Sequence, residues 1–279
     1  MHVVQSINEC VSIRKQTKGR VGFVPTMGAL HAGHLELVKC SLKNCDITIV
    51  SIFFNPKQFA ENEDLDNYPE NIKQDLKLLK NLNVDYVFTP QKSEMYLDTH
   101  SMYLIENKLS QRLEGVSRPN FFQGVITIVA KLFNICQPTD VFFGEKDAQQ
   151  LIIIKKLIKD LNYNIICHAV PTVRNKKGLA LSSRNEYLNK SQLDIASNIY
   201  KSLCLVQIKI SEGEKDAAVL KKLFKKTIDS FPELTIDYFS IADINTLEEI
   251  THQIQSTVLI STAIFLDGVR LIDNIKYTI

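Results

Sequence analysis

Short apolar runs alternate with amphipathic helical patterns from the N-terminus to about residue 170, and this alternation limits the possible folds more than any other feature. The runs RVGFVP, DITIVSIFF, DYVF, DVFF and NIICHAV are rich in β-branched and aromatic residues, which favours buried strands. Between them lie helical patterns, such as the spacing of Ile72, Leu76 and Leu79. The sequence therefore predicts an α/β fold: a parallel sheet with helices on both faces.

Two further helices are predicted in this part of the chain. Val4, Ile7 and Val11 recur at helical spacing, so residues 3–16 are expected to form a short amphipathic helix. The run GVITIVAKLFNICQP is predicted as a helix despite its β-branched residues, because Pro138 ends it and a strand follows.

The pattern changes after about residue 175. A polar stretch, NKKGLALSSRNEYLN, precedes two Lys-rich amphipathic helices near 191–209 and 214–230, and two strand-like runs follow, LTIDYFSIAD and TVLISTAIFLDGVRLIDNI. Helices followed by strands predict a smaller α+β domain. The expected domains are therefore 1–175 and 176–279. The sequence shows no low-complexity linker between them, so the boundary is approximate.

Composition excludes several classes of partner. The formal net charge of the 279 residues is +2, which is too small to favour nucleic acid or a membrane surface as the main partner. The longest apolar run is about half the length that a membrane helix needs. Six scattered cysteines without a C-x-x-C pair indicate free thiols in a reducing cytoplasm, and the N-terminus lacks the pattern of a secretory signal.

The string PTMGALHAGH follows the first long strand and carries two histidines around a glycine. A strand–turn–helix junction presents unpaired backbone N–H groups and the positive end of the helix dipole, so it can bind an anion. Gly28 and Gly33 would let a phosphate approach the backbone. His31 and His34 would then donate to phosphate oxygens and stabilise a departing pyrophosphate. The alternative is a glycine turn with two partly exposed histidines.

The string FFNPKQF ends the second long strand. Gln58 combines a donor and an acceptor and would suit a small hydroxy acid, whereas Asn55 and Pro56 have the simpler interpretation of a turn. The following string ENEDLDNYPE offers five carboxylates, at positions 61, 63, 64, 66 and 70, and Asp75 lies in the next helix. The default interpretation of these carboxylates is a solvated acidic loop, and the alternative is a set of magnesium ligands.

Two further polar strings complete the set. GEKDAQQ follows the strand DVFF, so Lys146 can meet a phosphate as a point charge, and Gln149 or Gln150 follows one turn later. LSSRN supplies two hydroxyls and an arginine, which are phosphate donors, although it would equally cap the next helix. Together the strings indicate an ATP site along a sheet edge, with the Ser-Ser-Arg segment as a closing loop.

The ordered strings PTMGALHAGH, FFNPKQF, DLDNYP, GEKDAQQ and GLALSSRN make the chain closely similar to the pantothenate synthetase (pantoate–β-alanine ligase) family over essentially its whole length. H-x-G-H alone would indicate only the wider nucleotidylyltransferase group. The resemblance implies a Rossmann-like first domain, a C-terminal lid domain and a cytoplasmic homodimer. It also implies that pantoate attacks the α-phosphorus of MgATP, and that β-alanine then attacks the resulting pantoyl adenylate to give pantothenate and AMP.

The resemblance also implies site residues. His34, His31, Lys146 and Arg184 would act in catalysis, Gln58 and Gln150 would bind substrate, and Asp75 lies where the family places magnesium. We prefer His34 as an electrostatic stabiliser over a literal proton donor. The implied ATP site comprises Met27, Gly28, Ala29, Leu30, His31, Ala32, Gly33, His34, Gly144, Glu145, Lys146, Asp147, Val173, Leu181, Ser182, Ser183 and Arg184.

One segment departs from the family pattern. RPNFFQGV replaces the usual R-P-G-H-F-R-G-V, with Phe121 for a histidine and Gln123 for an arginine, which removes up to two cationic contacts near the pocket. Three other functions stay open on the residues: an adenylyltransferase for another small molecule, a non-catalytic nucleotide-binding regulator, and a structural protein. The first has no need for FFNPKQF and GEKDAQQ together, the second predicts degraded motifs, and the third leaves the polar strand ends unexplained.

Overall fold

The chain forms two compact units in a computed structural model that describes residues 1–59 and 71–279. The N-terminal unit comprises Met1–Ser110, Arg118–Glu145 and Gln150–Pro171, and the C-terminal unit comprises Gln111–Ser117, Lys146–Gln149 and Thr172–Ile279. Two short segments thus belong to the C-terminal unit although they lie early in the sequence. The functional division at residue 175 stays a prediction. In the described part of the chain, none of the helices combines the length and hydropathy of a membrane span.

A six-stranded parallel sheet forms the centre of the N-terminal unit. Its strand order is β1-β4-β3-β2-β5-β6, and all five neighbouring pairs are parallel. The strands are β1 (His2–Val4), β2 (Val21–Thr26), β3 (Ile47–Ile52), β4 (Tyr86–Phe88), β5 (Asp140–Gly144) and β6 (Ile166–Val170). This confirms the predicted parallel sheet. The order reverses at β2, between β3 and β5, which is where α/β sheets bind ligands beyond their carboxyl ends.

Helices flank this sheet. In the N-terminal unit they are α1 (Ile7–Gln16), α2 (Ala32–Asn44), α3 (Ile72–Asn81), α4 (Lys92–Met95), α6 (Phe121–Cys136) and α7 (Ala148–Asp160), whose first two residues belong to the C-terminal unit. The short helix α5 (Glu114–Ser117) is part of the C-terminal unit and does not belong to this set. The predicted helix in GVITIVAKLFNICQP is confirmed as α6, most of whose residues are buried. Burial on nearly all sides outweighs the weak helix propensity of its β-branched residues.

The expected helix over residues 3–16 was wrong in its first turn. Residues His2–Val4 instead form the edge strand β1, which pairs with β4, and Val4 is 1% exposed. The helix begins only at Ile7, because the side chain of Ser6 accepts a hydrogen bond from the N–H of Glu9 and caps it. Strand pairing and the burial of Val4 decide the conformation of residues 2–4, and the spacing of apolar residues indicates neither of them.

The C-terminal unit packs two helices, α8 (Lys190–Ser211) and α9 (Ala217–Ile228), on a three-stranded antiparallel sheet. The sheet order is β7 (Leu234–Asp243), β8 (Val258–Leu266) and β9 (Val269–Tyr277). The second strand-like run of the sequence is therefore two strands. Asp267 and Gly268 have φ of 48° and 81° and make the tight hairpin that joins them.

Candidate active site

The carboxyl end of β2 turns sharply into α2 through residues 27–31. Gly28 has a φ of +92° and Ala29 a φ of +50°, so two successive residues adopt the left-handed region. Glycine tolerates this conformation at no steric cost, and a Cβ at Gly28 would also lie 3.2 Å from Oδ2 of Asp75. The turn at residues 27–31, which the resemblance places in the ATP site, is therefore tight, and its conformation favours glycine at position 28.

The two histidines form a reciprocal cap at the start of α2. Nδ1 of His31 accepts from the N–H of Gly33 at 3.1 Å, and Nδ1 of His34 accepts from the N–H of His31 at 3.4 Å. A nitrogen that accepts from a backbone N–H carries no proton, so each neutral ring is protonated at Nε2. Any hydrogen bond that these rings donate must come from Nε2.

Gly33 has a second reason to be glycine. A Cβ at this position would lie 2.8 Å from Cε1 of the His31 ring, so a larger residue would displace the capping imidazole. The two rings lie with their centroids 4.1 Å apart. The H-x-G-H pattern thus builds a pair of adjacent, neutral imidazoles at a helix N-terminus, where backbone N–H groups also favour an anion.

Asp75 holds the turn through both of its carboxylate oxygens, and its role as a magnesium ligand stays a prediction. Its carboxylate is 2% exposed; Oδ2 accepts from the N–H of Ala29 at 3.0 Å, and Oδ1 accepts from the N–H of Leu30 at 2.8 Å. Burial raises the pKa of Asp75, and these two hydrogen bonds offset only part of that rise. Within residues 1–59 and 71–279, no group of three or more His, Cys, Asp or Glu side chains is arranged to hold a metal ion. The described residues thus do not fit a magnesium site of their own. The acidic string at 61–70 lies outside the described residues.

Gln58 is buried and its orientation is set by a chain of hydrogen bonds. The N–H of Lys57 and the hydroxyl of Tyr96 donate to Oδ1 of Asn55, so Nδ2 of Asn55 faces the other way. Nδ2 then donates to the carbonyl of Gly124 at 3.2 Å and to Oε1 of Gln58 at 3.0 Å. The backbone groups have fixed polarity, so they dictate the orientation of both amides. Gln58 gives its oxygen to Asn55, and its amide NH₂ is the group that can donate to a substrate.

The departure at RPNFFQGV has a structural counterpart. The guanidinium of Arg118 lies over the ring of Phe121, 3.8 Å from its centroid, and its Nη2 donates to the carbonyl of Gln58 at 3.2 Å. Phe121 therefore replaces a histidine with an aromatic face that holds a cation next to the Gln58 turn. Nothing in the structure explains Gln123.

The two glutamines of GEKDAQQ have different surroundings. In the C-terminal unit, Gln149 is 5% exposed; its Oε1 accepts from the N–H of Glu114 at 3.0 Å and its Nε2 donates to the carbonyl of Arg112 at 2.7 Å. Its amide thus has a structural task. Gln150 belongs to the N-terminal unit and is half-buried, so it stays the candidate substrate ligand of the two. Gly144 is the last residue of β5, and exposed Glu145 follows it.

Lys146 and Arg184 line one cavity of the C-terminal unit together with Ser182, whose hydroxyl accepts from the N–H of Arg184 at 3.3 Å. Lys146 is 18% exposed at its side chain, and its Nζ lies 4.0 Å from Oδ1 of Asp147. The structure thus brings together the cationic groups of Lys146 and Arg184, which belong to two separate strings of the sequence.

Two of the remaining candidates, Leu181 and Ser183, are neighbours in the sequence of residues that line this cavity. The N–H of Leu181 donates to the carbonyl of Val173 at 2.9 Å, and Ser183 is 8% exposed. Three further residues did not stand out in the sequence. In the N-terminal unit, Tyr96 donates to Asn55 and Arg118 lies over Phe121, and in the C-terminal unit Asp273 lines the Lys146 cavity. The sequence RLIDN, which contains Asp273, predicts a strand. A strand pattern does not indicate which loop a side chain will contact.

Comparison with known proteins identifies the family. Residues 1–276 match the family described as pantoate-beta-alanine ligase. A pantothenate synthetase of Thermosipho africanus is 47% identical over 98% of this chain and 99% of its own length. Among solved structures, a pantothenate synthetase of Thermus thermophilus superposes with a TM-score of 0.93 at 36% identity, covering 99% of both chains. The pantoate-beta-alanine ligase of Francisella tularensis, complexed with beta-gamma ATP and beta-alanine, superposes with a TM-score of 0.80 at 34% identity, covering 99% of this chain and 97% of that one. Because these matches extend over nearly the whole chain, the chain belongs to the pantoate–β-alanine ligase family.

Proposed function

We propose that this protein condenses (R)-pantoate with β-alanine to pantothenate in an ATP-dependent reaction that releases AMP and pyrophosphate. The family membership over residues 1–276 supports the reaction, and the relative complexed with beta-gamma ATP and beta-alanine supports two of the ligands. The observation that carries the proposal is the start of α2, where two neutral imidazoles lie at a helix N-terminus just beyond the end of β2.

In the first step, a carboxylate oxygen of pantoate attacks the α-phosphorus of ATP, and the bond from that phosphorus to the bridging oxygen of pyrophosphate breaks. The negative charge that develops on the departing pyrophosphate is stabilised by donors, which include Nε2–H of His34 and His31, the ammonium of Lys146 and the guanidinium of Arg184. No proton needs to be transferred in this step. His34 therefore acts as an electrostatic stabiliser, and its capped, neutral state supports that role.

Gln58 would bind pantoate through its amide NH₂, because its oxygen already accepts from Asn55. A donor in this position suits the carboxylate or hydroxyl oxygen of pantoate. Gln150 is the second proposed ligand of pantoate. A buried amide of fixed orientation discriminates strongly, since a wrong substrate would leave it without a partner.

In the second step, the neutral amine of β-alanine attacks the acyl carbon of pantoyl adenylate. The C–N bond forms, AMP departs, and the nitrogen loses one proton. The protein supplies no covalent nucleophile in either step.

Magnesium would be carried by the ATP phosphates, because Mg²⁺ keeps several waters and is usually bound through substrate phosphates with only one or two carboxylates. We derive no step through the metal. We further propose a cytoplasmic location, which the six free cysteines support, and small molecules, not nucleic acid or membrane, as the partners.

A homodimer is the proposed assembly. In the N-terminal unit, one short segment exposes Leu97, Met102 and Ile105 to 65%, 78% and 64%. Apolar side chains grouped in this way favour a protein contact over open solvent. Light scattering on the purified protein measures the assembly, and a monomer at micromolar concentration would contradict the proposal.

The decisive experiment incubates the purified protein with ATP, pantoate and β-alanine and follows AMP. With ¹⁸O in the carboxylate of pantoate, one label atom is expected in AMP after a single turnover. Label in inorganic phosphate together with ADP would show attack at the γ-phosphorus and would overturn the proposed pathway. Absence of AMP with all three substrates would overturn the function itself.

A further inference from the structure

Two neighbouring residues of β9 make contacts on two sides of the cavity that Lys146 and Arg184 line: Asn274 contacts the backbone of Lys146, and Asp273 pairs with Arg174, which precedes the Ser-Ser-Arg segment. Asp273 is 4% exposed and pairs through both oxygens with Arg174, at 2.6 and 2.8 Å. Nδ2 of Asn274 donates to the backbone carbonyl of Lys146 at 2.8 Å. The N–H of Asn274 also donates to Oδ1 of Asp273 at 2.8 Å, which links the two contacts.

The Asp273 contact fixes the approach to the Ser-Ser-Arg segment. Arg174 stacks on the ring of Tyr200, 3.5 Å from its centroid, and its Nη1 donates to the carbonyl of Gly178 at 3.1 Å. Arg174 therefore closes a turn over residues 174–180, whose ends form an antiparallel bridge between Arg174 and Ala180. Ser182 lies two residues beyond Ala180, so the contact between Asp273 and Arg174 bears on where the segment begins.

The Asn274 contact fixes the GEKD segment. The carbonyl of Lys146 is the acceptor, so the contact holds the backbone and leaves the ammonium of Lys146 to the cavity that it lines with Ser182, Arg184 and Asp273. One strand thus sets the separation between a lysine and an arginine that come from distant parts of the sequence.

We propose that Asp273 and Asn274 are positioning residues for adenylate formation, because together they hold Lys146 and the Ser182–Arg184 segment in register for one anionic ligand. This inference rests on the proposed function, in which Lys146 and Arg184 stabilise the departing pyrophosphate. Catalytic donors must be held within a fraction of an ångström of the productive geometry, and a misplacement of about 1 Å costs about 100-fold in rate. Neither residue is a catalytic residue, since each acts through another.

The negative charge on Asp273 predicts an order of adenylation rates among variants of this ion pair. Arg174 neutralises a carboxylate that lines a cavity proposed for phosphate groups. Removing only the arginine leaves a buried, unpaired negative charge there, which is worse than removing both partners. We therefore expect Arg174→Gln to slow adenylation more than Asp273→Asn does, and the double variant Arg174→Gln/Asp273→Asn to recover part of the loss.

The experiment separates the two half-reactions in the full-length protein. Pantoate-dependent exchange of pyrophosphate into ATP reports adenylation, and pantothenate formation from supplied pantoyl adenylate and β-alanine reports the second step. For Asp273→Asn and Asn274→Ala, we expect exchange at saturating ATP to fall about 10- to 100-fold. The second step should stay within about threefold, because pyrophosphate has already left.

Asp243→Asn is the matched control. Asp243 is also a carboxylate of the C-terminal sheet, and it accepts from the N–H groups of Asn245 and Thr246 and from the hydroxyl of Ser256. This variant should lower the melting temperature and leave the exchange rate unchanged.

Wild-type exchange rates for both β9 variants would overturn the positioning role, and so would an equal loss of both half-reactions. If Asp273→Asn does not fold, the charge-neutral double variant and Asn274→Ala carry the test. Failure of the wild-type protein to form AMP would instead count against the proposed function, so the two failures are distinguishable.

Discussion

Oδ1 of Asp75 accepts a hydrogen bond from the backbone N–H of Leu30 at 2.8 Å, and this contact ties α3 to the turn that precedes the histidine-capped helix. The second oxygen accepts from Ala29, whose φ is +50°. A non-glycine residue in the left-handed region costs about 1 kcal/mol or more, so this turn depends on outside contacts such as the buried carboxylate.

Asp75→Asn is expected to destabilise the protein by about 1–3 kcal/mol, because one of the two N–H groups would face an amide NH₂ in place of an oxygen. Adenylation should slow as the turn shifts. The magnesium concentration for half-maximal activity should stay at the wild-type value. A large increase in that concentration would instead support Asp75 as a magnesium ligand. Glu94→Gln is the control, since Oε1 of Glu94 accepts from the N–H of Ile7 at a helix start in the same unit; it should cost stability alone.

The two tasks of His31 are separable by substitution. His31→Ala loses both the cap and the Nε2 donor, so it should cost about 1 kcal/mol of stability as well as activity. His31→Asn keeps a good capping residue and should lose only activity. His34→Ala should lower adenylation about 10²- to 10³-fold. Thermal unfolding and pyrophosphate exchange measure the two effects, and wild-type turnover by folded His34→Ala would contradict the assigned role.

The orientation of Gln58 predicts an order of substitutions. Gln58→Glu places an anionic oxygen where the amide donates, so it should raise the KM for pantoate more than Gln58→Ala does. Each change should exceed about tenfold, while the KM for ATP stays nearly constant. Tyr96→Phe removes only the hydroxyl that donates to Asn55, and about 2- to 10-fold is expected. A lower KM for pantoate in Gln58→Glu than in Gln58→Ala would show that the amide is oriented the other way.

Asp140 should make stability fall in acid. Burial alone would raise the pKa of this fully buried carboxyl, but hydrogen bonds from Arg20, His168 and Thr139 outweigh that effect and hold its pKa well below the usual value. A depressed pKa contributes stability that is present above the unfolded pKa, about 3.9, and that is lost as pH falls below it.

Urea unfolding tests this sign. Asp140→Asn should be less stable than wild type by about 1–3 kcal/mol at pH 7, and the difference should shrink as pH falls below about 4. Asp160→Asn, which breaks an exposed pair with Lys156, should show a small difference at every pH. A difference for Asp140→Asn that is constant from pH 7 to pH 3 would rule out the carboxylate as its cause.

The turn at residues 174–180 should resist hydrogen exchange without ligand. Its sequence is polar, yet Leu179 and Ala180 are 5% and 4% exposed. The N–H groups of Leu179 and Leu181 both donate, to Asn175 and Val173 respectively. We expect slow exchange at these two amides in the absence of ATP. Rapid exchange there, at the rate of an unstructured peptide, would show that the turn forms only with a ligand.

The parallel sheet, the family and the places where polar strings leave the strands could all be predicted from the residues alone. Those features are local, because they follow from hydrophobic periodicity and from the residues of short strings. Gly33 of H-x-G-H could also be singled out from the sequence. Two features favour glycine there: the approach of a phosphate, and the nearby His31 ring, which a Cβ would displace.

The role of each polar side chain, in contrast, depends on contacts between distant parts of the chain. Asp75 and Gln149 look like ligands in the sequence, but their oxygens accept from backbone N–H groups that lie 35 or more residues away. Asp273 looks like an ordinary strand residue, but it pairs with Arg174 across 99 positions. A buried polar group must find a partner, and the partner is set by packing of elements that are distant in the chain. That choice cannot be read from a string of residues.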